Sequence, residues 1–138
     1  MVLTLPGCTT KSAAARQFNE TVPSPEKANV EFTLKTSMAD GRMGFIGVGG
    51  EIDGKTNPEL HVQPGDTVHL VLVNDDGMQH DMALPDLDAH IHPIMGIGES
   101  SEIVFTVGVD QQGTYPYFCT IPGHRQAGME GVLVVGES

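Results

Sequence analysis

The chain has 138 residues, enough for one domain whose hydrophobic core needs no disulfide staples. Two cysteines and 39% hydrophobic residues exclude a disulfide knot, and no stretch approaches the ~20 apolar residues of a helical membrane span. The net charge is −11, and from Thr56 onward twelve acidic residues face one basic residue, Arg125, so nucleic acid is excluded as a partner.

Seventeen glycines and nine prolines in a chain only 18% charged favour short strands and turns over helices. Residues 1–28 read as an N-terminal arm. It has a helix-permissive patch over 11–20 and a stiff Thr-Val-Pro-Ser-Pro linker before a domain spanning 29–138. Leu5-Pro6-Gly7-Cys8 matches a lipoprotein cleavage box poorly, because proline fits it badly and no apolar run precedes it; Cys8 reads as a spare thiol, with a processing remnant as the weaker alternative.

Strands follow one another after residue 29. Val30, Phe32 and Leu34 alternate with Glu31, Thr33 and Lys35, which predicts a strand with one buried face. Residues 43–48 form a second apolar run, and Leu60 and Val62 lead into the turn Gln63-Pro64-Gly65-Asp66. Thr67–Val73 is almost continuously apolar, as a central strand would be, and Asn74-Asp75-Asp76-Gly77 ends it. Further strands are expected over 101–107, 114–119 and 132–135. Seven or eight strands with turns between them predict an all-β Greek-key sandwich or barrel. Between them, residues 82–98 carry apolar stretches broken by Asp86, Asp88 and His90. They read equally as an exposed apolar docking patch and as a loop packed on the sandwich. His90 and His92 would share one face of a strand there, as a possible second metal site or as solvated surface.

The chemistry gathers near the C-terminus. Cys119, His124 and Met129 lie in one loop between two expected strands, with four residues between each neighbouring pair. A buried cysteine alone is usually a small hydrophobe, a lone methionine a core filler, and a lone histidine a hydrogen-bonding surface residue. A thiolate, an imidazole and a thioether in one Gly/Pro-shaped loop favour a metal instead. Soft sulfur with imidazole selects copper, and two histidines with a cysteine and a long axial methionine form a blue-copper site. The second histidine must come from elsewhere, and His80, just beyond the Thr67–Val73 strand, is the candidate.

The loop Cys119-Thr120-Ile121-Pro122-Gly123-His124-Arg125-Gln126-Ala127-Gly128-Met129 and the strand after it resemble the ligand loop and last strand of type 1 (blue) copper cupredoxins of the auracyanin and plastocyanin kind. The segment from Asn57 through Gly65-Asp66-Thr67-Val68 to Asn74 also resembles the family's central strands. Pro122 to Met129 is especially similar to the additional cupredoxin domain fused to the N-terminus of some copper nitrite reductases. The resemblance implies one type 1 copper per chain, with His80, Cys119 and His124 as equatorial ligands and Met129 as the axial one. It also implies a periplasmic or other extracytoplasmic setting. Where the family commonly has asparagine after the first histidine, this chain has Asp81. A carboxylate there could accept hydrogen bonds from Thr120 and, by adding negative charge, favour Cu(II).

These features predict one-electron transfer, as a free carrier or as the electron-transfer domain of a copper nitrite reductase. Copper storage or delivery is the alternative, but the seven methionines are scattered along the sequence rather than clustered. The chain alone is expected not to be an enzyme. The expected partner is a redox protein or a catalytic copper domain. It would dock around Pro122 and the ring edge of His124, with Arg125 offsetting the acidic background.

Overall fold

The computed structural model describes residues 23–137; Cys8, the 11–20 patch and most of the expected arm lie outside them. Nine strands form two sheets: β1 (Val30–Ala39), β2 (Arg42–Val48), β3 (Leu60–Val62), β4 (Thr67–Val73), β5 (His80–Leu84), β6 (Ala89–Ile94), β7 (Ser100–Thr106), β8 (Gly113–Phe118) and β9 (Glu130–Val135). One sheet has the order β2-β1-β4-β7 and the other β3-β9-β8-β5-β6. Most neighbours are antiparallel, but β1 pairs parallel with β4 and β3 with β9, so the chain crosses between sheets in the manner of a Greek key. The helical content of the described residues is three single 3₁₀ turns.

Alternation places the core. On β4, Val68, Leu70 and Leu72 are fully buried and meet Leu34, Phe45, Met82, Leu84, Ile91, Tyr117 and Leu133 between the sheets. Tyr117 is fully buried, and its hydroxyl donates to the Pro58 carbonyl at 2.6 Å. Gly131 on the neighbouring strand is required by that ring, since a Cβ there would sit 2.2 Å from the Tyr117 Cζ.

Two strands, β5 and β6, depart from the reading of residues 82–98 as a patch or loop. They form a hairpin at the sheet edge, turned through Pro85–Leu87 and the left-handed Asp88, with φ 51°. Met82, Leu84, Ile91 and Ile94 point into the core, so most of that stretch packs on the sandwich, while Met95 and Ile97 remain exposed. The prolines that disguise the hairpin are tolerated because Pro85 opens the turn and Pro93 sits on the edge strand, where a missing N–H breaks no ladder.

On the outer face of β4, His69 is clasped between two carboxylates. Its Nδ1 lies 3.0 Å from Glu31 on β1, and its Nε2 bonds Glu102 on β7. Burial pushes the imidazole down, but the hydrogen bonds and charges of Glu102 and Glu31 outweigh it and hold the imidazolium above the ordinary value of 6.5. Because the folded value is the raised one, this clasp contributes fully below the unfolded value and is lost as pH rises through the folded one. The urea midpoint of the protein is therefore expected to fall as pH is raised above neutrality, and Glu102→Gln should remove most of that slope. A midpoint as pH-dependent in Glu102→Gln as in the unmodified chain would refute the clasp.

Candidate metal centre

The β4–β5 and β8–β9 connections meet at one end of the sandwich. The first is shaped by Asn74, which is fully buried. Its Oδ1 accepts from the Asp76 and Gly77 amides at 3.2 and 2.8 Å, while its Nδ2 donates to the Met78 carbonyl at 2.6 Å. Side-chain bonding of this kind closes a tight turn without strand partners. It delivers His80 to the start of β5, with the whole ring buried. The His80 Nε2 lies 2.8 Å from both Asp76 carboxylate oxygens, and its Nδ1 is buried with no partner.

Cys119 follows β8 directly and is buried, as is Met129 just before β9. The backbone ties the loop between them into a closed frame: Cys119 N–H donates to the Met129 carbonyl at 3.2 Å, and Met129 N–H to the His124 carbonyl at 3.1 Å. The first strands clamp its far side. Met43 N–H donates to Ala127 at 3.0 Å, and Asn57 Nδ2 donates to Gly128 at 2.7 Å while its Oδ1 accepts from Phe45 N–H. Gly128, at φ 118°, is where the loop passes so close to β2 that a Cβ would lie 2.6 Å from the Met43 carbonyl oxygen.

The result is a convergence of donor atoms. His80, Cys119 and His124 each offer one within 4.8 Å of the others, and the Cys119 Sγ lies 3.6 Å from the His124 Nδ1. The two imidazole rings are tilted at a centroid distance of 5.0 Å. Burial and then the neighbouring His80 push the His124 imidazole down, so the neutral, ligating form prevails at neutral pH. Burial pushes the Cys119 thiol up, against the pull of backbone donors. The orphaned Nδ1 of His80 tests the fit of a metal directly. An unsatisfied buried polar atom costs about 1–3 kcal/mol, and an ion bound by the facing thiolate and imidazole would satisfy it. Soft sulfur with two imidazoles suits copper.

Asp81 occupies the expected position beside His80. Its carboxylate accepts from the Thr120 amide at 2.6 Å and from the Thr120 hydroxyl, linking the two ligand segments. Burial works against the Asp81 charge, yet the bonds from Thr120 and from His90 hold its carboxyl below the ordinary range. His90 reaches the same carboxylate through Nε2 at 2.8 Å. His90 and His92 do share an exposed face, with ring centroids 5.9 Å apart. His90 is nonetheless spent on Asp81, and among the described residues the grouping of three or more such donors is His80, Cys119 and His124.

Pro122 and Gly123 are exposed beside the partly exposed His124. The Arg125 guanidinium does not stand free over this surface. It bonds Glu130 and lies 3.8 Å above the Phe118 ring, so its charge is locally matched and it ties the loop to β8 and β9. The residues missed in the sequence are Asp76, Asn57 and Asn74. An acid four positions before a histidine was the available signal for the first.

Residues 32–136 match the family model of copper binding proteins of the plastocyanin/azurin family. No curated protein sequence is significantly similar to the chain. Among solved structures, auracyanin B superposes with a TM-score of 0.58 at 21% identity, over 83% of this chain and 94% of that one. Rusticyanin from Thiobacillus ferrooxidans gives 0.54 at 24% identity, over 77% and 76%. The copper-containing nitrite reductase of Thermus scotoductus gives 0.52 at 24% identity, over 79% of this chain but only 28% of that one. At these identities the superpositions establish the fold.

Proposed function

The chain belongs to the plastocyanin/azurin family of copper-binding proteins, and from that membership we propose that it transfers single electrons through one type 1 copper, without catalysing a reaction of its own. The observation that carries this reading is the buried convergence of donor atoms from His80, Cys119 and His124, with the His124 residue as a whole partly exposed. Copper held there would supply a one-electron couple between Cu(I) and Cu(II). Each residue has a share in making that couple work. His80, Cys119 and His124 would hold the ion, Met129 would add a weak thioether donor, and the hydrogen-bonded loop resists rearrangement between oxidation states. Asp81 and Thr120 lock the two ligand segments together.

The exposed Pro122 and Gly123 around His124 form the contact for a redox protein or a catalytic copper domain, the electron passing through the imidazole edge. With Arg125 paired to Glu130, apolar contact at Pro122 carries more of this docking than charge does. An extracytoplasmic site of action follows from the same reading. Storage is the weaker reading, because a buried, closed donor set exchanges its ion poorly.

A redox titration tests the proposal. The copper-loaded chain should lose its visible band on taking up one electron per molecule and regain it on oxidation. Met129→Leu should keep the copper and raise the potential, on the order of 59 mV for a tenfold change in relative Cu(II) and Cu(I) affinity, because a lost donor destabilises Cu(II) more. A band that does not bleach reversibly would exclude electron transfer, and an unshifted Met129→Leu potential would exclude Met129 as a ligand.

A further inference from the structure

The Asn74-Asp75-Asp76-Gly77 segment does more than end a strand. Asp76 is held in place from two sides, its own amide donating to the Asn74 Oδ1 at 3.2 Å and its Oδ1 accepting from the Met78 amide at 2.9 Å. Its side chain is 10% exposed, beside a His80 ring that is fully buried. Both carboxylate oxygens stand 2.8 Å from the His80 Nε2, and the opposite ring nitrogen, Nδ1, has no partner. A carboxylate only accepts hydrogen bonds, so the nitrogen facing it carries the proton. A proton on Nδ1 would instead be buried without an acceptor. The neutral ring is thus confined to one tautomer, with its lone pair on Nδ1, the nitrogen left free to bind an ion shared with Cys119 and His124.

We propose that Asp76 is a positioning residue for the metal centre, fixing the His80 tautomer for ligation through Nδ1 and, by its charge, raising the relative affinity of the site for Cu(II). The inference rests on the copper reading above and adds to it a residue outside the ligand set. A carboxylate behind an imidazole ligand makes the ring a stronger donor, and loss of such a partner typically weakens metal binding by about 10–100-fold. The more highly charged ion gains more from that donor and from the nearby negative charge. Asp76 thereby acts through the ring nitrogen that is not left free to ligate, independently of the Asp81 link to Thr120.

Two substitutions separate charge from geometry. Asp76→Asn removes the charge and keeps one oxygen that can accept from both Nε2–H and the Met78 amide, with an NH2 group replacing the second oxygen beside the ring. In the copper-loaded chain it should preserve the visible band and lower the ratio of Cu(II) to Cu(I) affinity about tenfold, read as a potential about 59 mV higher. Asp76→Leu removes the acceptor as well. In the metal-free chain, nitrogen-15 NMR of His80 should change from a single Nε2–H tautomer to a mixture, and Cu(II) affinity should fall at least tenfold. An unchanged potential in Asp76→Asn, or a single Nε2–H tautomer surviving in a folded Asp76→Leu, would overturn the proposal while leaving the copper reading intact. An unmodified chain that lacks the visible band with copper would overturn both.

Discussion

Cys119→Ser is expected to abolish the intense visible absorption of the copper-loaded protein entirely while leaving the sandwich folded. The band requires charge transfer from a thiolate sulfur to Cu(II), and among the described residues Cys119 is the free cysteine. Its Sγ lies 3.6 Å from the His124 Nδ1 in a site where it is 1% exposed, so no other thiol among those residues stands ready to replace it. The cost to folding should be modest. Burying a hydroxyl in place of a thiol costs about 1–3 kcal/mol when poorly partnered, against a typical domain stability of about 5–15 kcal/mol. The Cys119 amide bond to Met129 is made by the backbone and survives the substitution. Absorption spectra and far-ultraviolet circular dichroism, taken together, check the expectation. A full visible band in folded Cys119→Ser would remove the cysteine from the site.

Copper stoichiometry should be equally decisive. After dialysis the chain should retain one copper and show no nitrite turnover with a reductant supplied, because reduction of nitrite at copper needs a second, open site. The structure distributes the remaining histidines in a way that disfavours such a site. His61 bonds Glu59 at 3.1 Å, His69 is clasped by Glu31 and Glu102, and His90 is bonded to Asp81. Only His92 is left near His90, and two exposed imidazoles do not enclose an ion. Two retained coppers, the second with an ordinary rather than blue spin-resonance signature, would contradict this assignment and return the His90 and His92 pair to consideration.

Arg125 is a charge legible in the sequence whose neighbours are not. As the one base after Thr56, it invited a docking function. Folding brings Glu130 and Phe118 alongside, so the still partly exposed guanidinium also ties down the ligand loop. In the docking proposed above, apolar contact around Pro122 would then carry more of the weight, and ionic strength should matter less.

The sandwich and the ligand loop were determined by sequence alone, because both are written in local pattern. Alternation along β1, the apolar run of β4 and the turns at Gln63-Pro64-Gly65-Asp66 and Asn74-Asp75-Asp76-Gly77 needed no knowledge of distant residues. Cys119, His124 and Met129 likewise belong to one short loop, so their spacing already limited what they could bind. The β5–β6 hairpin was hidden, because Pro85 and Pro93 imitate a loop unless an edge position makes them harmless. The link from Asp81 to Thr120 was expected from the sequence, but tertiary structure alone decided the other partners behind the ligands: Asp76 behind His80, His90 on Asp81, and Asn57 against Gly128. Such pairs depend on which strand ends the crossovers bring to the same end of the sandwich, and on the rotamers that packing leaves open there. A one-dimensional spacing contains neither, so the cluster of His80, Cys119 and His124 could be read from the chain, but most of the electrostatics around it emerged only when the two sheets closed.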